Sequence, residues 1–89
     1  MEDERIKKLL KYISGEMKNV RNLSGHTQED VGFDLGVSPS YIGKLETGKL
    51  EKLSMFMYLK LADYYDVDIK EVIKKAEYRM EIEEKYFGG

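Results

Sequence analysis

Two short helix patterns joined by a turn, in residues 27–48, constrain the fold of this chain more than any other feature. Thr27 is a helix N-cap residue, and an aspartate three places later completes a capping box. Gly36 stands where a helix C′ residue must adopt the left-handed region, which glycine does with least strain. Ser38 and Pro39 then supply the N-cap and the first position of a second helix. The sequence therefore predicts two consecutive helices of about eight residues each, too short to be stable alone.

Apolar residues in this stretch fall on one side of each predicted helix. Val31 and Leu35 repeat at i and i+4 in the first helix, and Tyr41, Ile42 and Leu45 give the second its buried side. Other helices must cover these apolar sides. Two helices joined in this way resemble a helix-turn-helix.

The sequence TQEDVGFDLGVSPSYIGKLETGK is similar to the motif of the lambda-repressor and Cro-like family, also called the XRE family. A Thr-Gln-Glu start, a Gly-Val-Ser turn and a Leu-Glu-x-Gly end recur in that family. The resemblance runs from about Ile13 to Val72 and implies an all-α fold, a five-helix lambda-repressor-like DNA-binding domain. Gly32 departs from the family pattern, in which alanine usually occupies this position.

Helix patterns on both sides of the motif extend past the usual limits of the family. We expect residues 1–73 to form the helix-turn-helix domain and residues 74–89 to form a helical extension that either serves in dimerisation or folds back on the domain. A chain of 89 residues has room for one small domain. The predicted N-terminal helix carries an apolar stripe at helical spacing, made of Ile6, Leu9, Leu10, Ile13, Met17 and Val20.

Composition argues against several other classes of protein. The chain has no cysteine, hence no disulfide and no thiolate metal site. No apolar run approaches the roughly 20 residues of a membrane span, and we expect a cytoplasmic protein. With one histidine and no glycine-rich phosphate loop, we expect no enzyme activity, no cofactor, no metal and no small-molecule substrate.

The net charge of -2 counts against nucleic-acid binding, because non-specific affinity for DNA comes mainly from lysine and arginine releasing counterions. The distribution of charge matters more than the sum. Lys44, Lys49 and Lys52 lie on or just after the second motif helix, while acidic residues concentrate near the C-terminus. We therefore expect weak, salt-sensitive DNA binding by a monomer and stronger binding by a dimer.

The family resemblance implies which residues contact double-stranded DNA. The second motif helix of such proteins enters the major groove, which places Pro39, Ser40 and Lys44 at base edges. Lys44 can donate to guanine, Ser40 discriminates weakly, and Pro39 offers only an apolar contact. The implied contacts to phosphates are Gln28, Ser38, Tyr41, Thr47 and Lys49, with Lys52 as a weaker candidate.

Arg21 lies near the end of the first predicted helix, where an arginine is most often solvated. The family resemblance instead implies an ion pair with Glu46, near the end of the second motif helix. A partly buried pair of this kind would be structural and would brace the first helix against the third.

Two apolar stripes lie outside the expected core. Phe56 and Met57 occupy positions that are often polar in the family, and Tyr78, Ile82 and Tyr86 repeat at i, i+4 and i+8. Each stripe is either a dimer interface or a surface covered by the chain itself, and the sequence favours neither. The residues of the fourth helix expected to face the core are Met55, Tyr58, Leu59, Leu61 and Ala62.

These patterns together predict a sequence-specific DNA-binding transcriptional regulator, a homodimeric repressor. The alternative is a protein-interaction module on the same fold, such as an antitoxin or the partner of a regulator. That module would bind another protein through the two apolar stripes. The acidic pI and the lack of arginine on the second motif helix favour the alternative.

Overall fold

The computed structural model describes residues 2–50 and 54–87, and these residues form helices and connecting turns without a strand. The helices are α1 (Asp3–Ser24), α2 (Gln28–Leu35), α3 (Pro39–Glu46), α4 (Met55–Tyr64) and α5 (Ile69–Tyr86). The all-α, five-helix fold expected from the sequence is therefore confirmed. In the described ranges, no helix combines the length and apolar composition that crossing a membrane requires.

Local side-chain bonds fix the ends of α2 and α3. The Thr27 hydroxyl accepts from the backbone N–H of Asp30 at 3.0 Å, and the Asp30 carboxylate accepts from the backbone N–H of Thr27 at 2.9 Å. These bonds from Thr27 lower the pKa of Asp30. Gly36 has a φ of 73° between the helices, and the Ser38 hydroxyl caps α3 by accepting from the N–H of Tyr41 at 3.0 Å. The turn is therefore defined by its own residues.

One hydrophobic core takes side chains from all five helices. The Tyr58 hydroxyl lies inside this core, hydrogen-bonded to the Ser14 hydroxyl at 2.8 Å, and burial raises the pKa of Tyr58. Because α2 and α3 contribute to the same core as the longer helices, tertiary packing supplies the stability that their length cannot. The buried cluster comprises Met17, Val31, Ile42, Leu45, Tyr58, Leu61, Ala62 and Val72.

The fourth helix buries a narrower stripe than its sequence predicts. Tyr58, Leu61 and Ala62 are buried as expected, but Met55 is 60% and Leu59 is 47% exposed. The expectation that these two residues face the core is wrong. Met55 lines the edge of a small apolar pocket with residues of α1 and α5, such as Leu10 and Ile73, and is covered only in part, while Leu59 is exposed one turn further along α4.

The first half of α1 packs against the second half of α5, in antiparallel orientation. The N-terminal extension thus docks on the C-terminal one, and the expected boundary between residues 73 and 74 falls inside a continuous helix. Acidic residues near the C-terminus partly neutralise cations of α1. The ion pairs between the two helices are Arg5–Glu84, Lys8–Glu83, Lys8–Glu84 and Arg79–Glu16.

Gly32 lies at the closest approach of α2 to the turn that follows it. A Cβ atom built on Gly32 would lie 2.6 Å from the Val37 carbonyl oxygen and 3.2 Å from the Pro39 nitrogen. Both neighbours are backbone atoms, which cannot rotate away. Gly15, in the middle of α1, is the opposite case, because a Cβ atom there would meet nothing within 4 Å.

These two glycines predict opposite effects of the same substitution. Gly32→Ala should lower the free energy of unfolding by about 1 kcal/mol in total. Overpacking destabilises the protein by roughly 1 to 3 kcal/mol, and the higher helix propensity of alanine offsets about 1 kcal/mol of this loss. Gly15→Ala should raise the free energy of unfolding by about 0.5 to 1 kcal/mol. Urea unfolding followed by circular dichroism measures both. Equal free energies of unfolding for the Gly32→Ala and Gly15→Ala proteins would contradict the close approach of Gly32 to the turn.

Candidate nucleic-acid interface

The third helix has one buried side and one exposed polar edge. Ile42 and Leu45 are 1% and 0% exposed, whereas Ser40, Lys44 and Thr47 are exposed and lie at i, i+4 and i+7. This spacing places the three polar side chains on one face of the helix. They form a continuous polar edge that protrudes from the domain.

A buried ion pair fixes the position of α3 relative to α1. The Arg21 guanidinium donates to both carboxylate oxygens of Glu46, from Nε at 2.6 Å and from Nη2 at 3.0 Å. The two side chains are 10% and 2% exposed, and the hydrogen bonds raise the pKa of Arg21. Arg21 Nη1 also donates to the His26 carbonyl oxygen at 3.0 Å. One guanidinium therefore links α1, the connection to α2, and the end of α3.

Gln28, the first residue of α2, completes this network. Its side-chain nitrogen donates to Glu46 Oε1 at 3.1 Å, and its amide group lies about 3.5 Å from the position of a Cβ on Gly43. The side chain that the family resemblance assigns to a phosphate is thus held between α2 and α3. Its orientation is set by Glu46, which leaves the backbone N–H groups of Gln28 and Glu29 at the open start of α2.

The other residues expected to contact DNA differ in their surroundings. Ser38 and Pro39 are exposed at the start of α3, and Lys49 is exposed just after its end. The Thr47 hydroxyl donates to the Gly43 carbonyl oxygen at 3.0 Å, and Tyr41 is half-buried against the core. Lys52 lies outside the described residues.

A contact between α2 and α4 escaped the sequence reasoning. The Tyr64 hydroxyl donates to the Asp34 carboxylate, and this bond raises the pKa of Tyr64 to about 12. The His26 ring lies 5.2 Å from the Tyr64 ring, centroid to centroid. No local spacing rule pairs residues 30 positions apart, so no signal in the sequence pointed to this contact. It connects α2 to α4, next to the Arg21 network, since His26 contacts both Tyr64 and Arg21.

Comparison with known families identifies the fold. The family model described as helix-turn-helix matches residues 17–72, more than half of the chain. The chain belongs to the lambda-repressor and Cro-like (XRE) helix-turn-helix family. Members of this helix-turn-helix family share a DNA-binding regulatory domain. The match covers all of α2, α3 and α4 and ends at Val72, within α5.

One curated relative shares most of this helix-turn-helix chain. The chain is 39% identical over 70 residues to glutamine--fructose-6-phosphate aminotransferase [isomerizing] of Methanocaldococcus jannaschii. The alignment covers 79% of the chain and 6% of the aminotransferase. The shared stretch is therefore a small part of a much larger protein.

The buried Arg21–Glu46 pair predicts strong energetic coupling between two distant positions. Removing one partner, by Arg21→Met or Glu46→Gln, should cost about 3 to 5 kcal/mol, because the other charge is left buried and unpaired. A double-mutant cycle in urea should give a coupling above about 1 kcal/mol. The Arg5–Glu84 pair, whose side chains are 39% and 27% exposed, is the more solvated control, with an expected coupling of about 0 to 1 kcal/mol. Coupling below about 0.5 kcal/mol for Arg21 and Glu46 would defeat the structural role assigned to them.

Proposed function

We propose that this protein is a sequence-specific transcriptional repressor in the cytoplasm, which binds as a homodimer and reads the major groove with α3. The observation that supports this proposal is the polar edge of α3. Its only acidic residue, Glu46, is buried and paired with Arg21, so no carboxylate lies on the exposed edge. An exposed helix edge with a cation and without a carboxylate suits an anionic groove.

In this proposal the exposed residues of α3 have distinct roles. Lys44 donates to guanine O6 and N7, Ser40 discriminates weakly, and Pro39 packs against a thymine methyl group. Gln28, Ser38, Tyr41, Thr47 and Lys49 contact phosphates and fix the register, together with the free N–H groups at the start of α2.

The same surface also limits the affinity of one protomer. Glu29, Asp30 and Asp34 are exposed on α2, and Glu29 lines one groove with Gln28 and Pro39. These carboxylates oppose phosphates on that flank, which leaves few cations to supply affinity. A homodimer on a two-fold related operator doubles the favourable contacts, with half-sites about 34 to 36 Å apart.

We propose residues 74–89 as the dimerisation element. On α5, Tyr78 is 64% and Tyr86 is 67% exposed, although this helix packs along α1 on its other side. Ile82 between them is half-buried. On α4, Phe56 is 71% exposed and Met57 is half-buried. Exposed aromatic side chains at helical spacing are typical of surfaces that bind another protein.

The same exposed stripes favour a second function. The protein would then be an interaction module, an antitoxin or the partner of a regulator, and would bind a regulatory protein through Phe56, Met57 and the α5 stripe. If the wild-type protein binds no duplex DNA of any sequence, this second function is favoured. Selective binding to one duplex would favour the repressor.

Two lysines predict different losses of DNA affinity. Lys44→Ala should cost roughly 1 to 3 kcal/mol on the preferred duplex and relax the preference at one base pair, because it removes a base contact. Lys49→Ala should weaken binding to all sequences alike, because it removes a phosphate contact. Gel shifts against a duplex selected from a random library, and against random duplex, measure both. Equal losses on the two duplexes for both variants would refute the assignment.

The exposed tyrosines of α5 predict the oligomeric state. Wild-type protein should sediment as a dimer, and Tyr78→Gln/Tyr86→Gln should sediment as a monomer with unchanged helix content, because neither side chain belongs to the core. Phe33→Gln is the control, since Phe33 is 88% exposed and lies on α2, away from the stripe. If the tyrosine double variant remains dimeric, the α5 stripe is not the interface. If wild type is monomeric both alone and on DNA, the homodimer itself is refuted.

A further inference from the structure

One face of α1 carries exposed lysines and lies beside α3, although no motif includes it. We call this the α1 basic face and define it by Lys11, Gly15, Lys18 and Asn22, at i, i+4, i+7 and i+11. These positions lie on one side of a helix. Lys11, Lys18 and Asn22 are all exposed. The face is turned away from the apolar stripe of α1, which includes the buried Met17.

Contacts at both ends place the α1 basic face along the length of α3. At one end, a Cβ atom built on Gly48, just past α3, would lie 3.1 Å from Lys11 Cγ. The aliphatic stem of Lys11 therefore packs on Gly48, in the connection that follows α3. At the other end, Asn22 lines one groove with Gln28 and Pro39, the first residues of α2 and α3. The face thus borders α3 from its start to its end.

Arg5 and Lys8 differ from Lys11 and Lys18 in their surroundings. The first two are paired with carboxylates of α5: Arg5 with Glu84, and Lys8 with Glu83 and Glu84. Lys11 and Lys18 belong to none of the ion pairs formed within residues 2–50 and 54–87. Lys11 also lines a groove with Glu83 of α5 but forms no ion pair with it, so the charges of Lys11 and Lys18 remain available for an anionic partner.

The surface between the two lysines has room for a close approach. A Cβ atom on Gly15 would meet nothing within 4 Å, so none of the described side chains occupies the space directly above Gly15. Seven residues of helix separate these lysines by about 10.5 Å. Because each lysine carries its charge on a flexible four-carbon stem, two lysines at this spacing can each reach a separate phosphate of one strand.

We propose that the α1 basic face binds the phosphate backbone of duplex DNA beside the groove that α3 enters. This inference rests on the proposed function, since α3 must lie in the major groove for α1 to border a strand. Lys11 and Lys18 each neutralise one phosphate. The contacts carry no sequence information, so they add affinity and register without changing selectivity.

Lys11→Gln/Lys18→Gln tests this face through the salt dependence of DNA binding. Glutamine keeps the stem that packs on Gly48 and removes the charge. Fluorescence anisotropy on the selected and the random duplex, at several KCl concentrations, should show the slope of log K against log salt falling by about 1.8 per bound protomer. The loss should be equal on both duplexes, and Lys11→Arg/Lys18→Arg should keep the wild-type slope.

The control is Lys74→Gln/Lys75→Gln, which makes the same change in net charge at two exposed lysines of α5. Equal slopes for the two glutamine double variants would overturn the inference, while the proposed function would stand if Lys44→Ala still relaxed base preference. Absence of selective DNA binding by wild type would overturn both. If Lys11→Gln/Lys18→Gln does not fold, the single variant Lys18→Gln is measured instead. The slope of log K against log salt should then fall by about 0.9, and an unchanged slope would overturn the inference.

Discussion

The position of α3 depends on one buried carboxylate, that of Glu46. Its two oxygens accept from Arg21 on α1 and from Gln28 on α2, so a single group connects the three helices that make up the motif and its support. Each of these bonds has a charged acceptor, and such bonds are roughly twice as strong as neutral ones. Since a helix of eight residues has little stability of its own, the network and the core decide where the polar edge of α3 points.

Ion pairs between α5 and α1 explain how an acidic protein can bind an anionic partner, because they neutralise carboxylates near the C-terminus. Near the C-terminus, Glu83 and Glu84 contact cations in the first half of α1. Those carboxylates are therefore already paired with cations of the same chain. A net charge summed over the chain misses this arrangement, because the field at a surface depends on which charges lie within about 10 Å of it.

Local rules were sufficient for the parts of the fold that local chemistry controls. The capping box at Thr27, the cap at Ser38 and the left-handed Gly36 each involve residues a few positions apart, and all three are present in the structure. Periodicity was less reliable where burial depends on neighbours, as for Met55 and Leu59, which are exposed although they follow the apolar spacing of α4. The Tyr64–Asp34 bond and the docking of α1 on α5 depend on tertiary geometry, which spacing along the chain does not encode. The ion pair of Arg21 with Glu46 was expected only through family resemblance, for the same reason.

The tight approach at Gly32 determines how this motif can adapt to DNA. Because α2 touches the backbone of the turn, and Val37 N–H donates to the Gly32 carbonyl oxygen at 2.9 Å, the two motif helices cannot slide past each other. In a complex of the kind proposed, an imperfect fit must then be corrected by the duplex, through bending or a change in groove width. The energy of that deformation depends on base steps the protein never touches, so stiffness of the double helix becomes part of the recognition code.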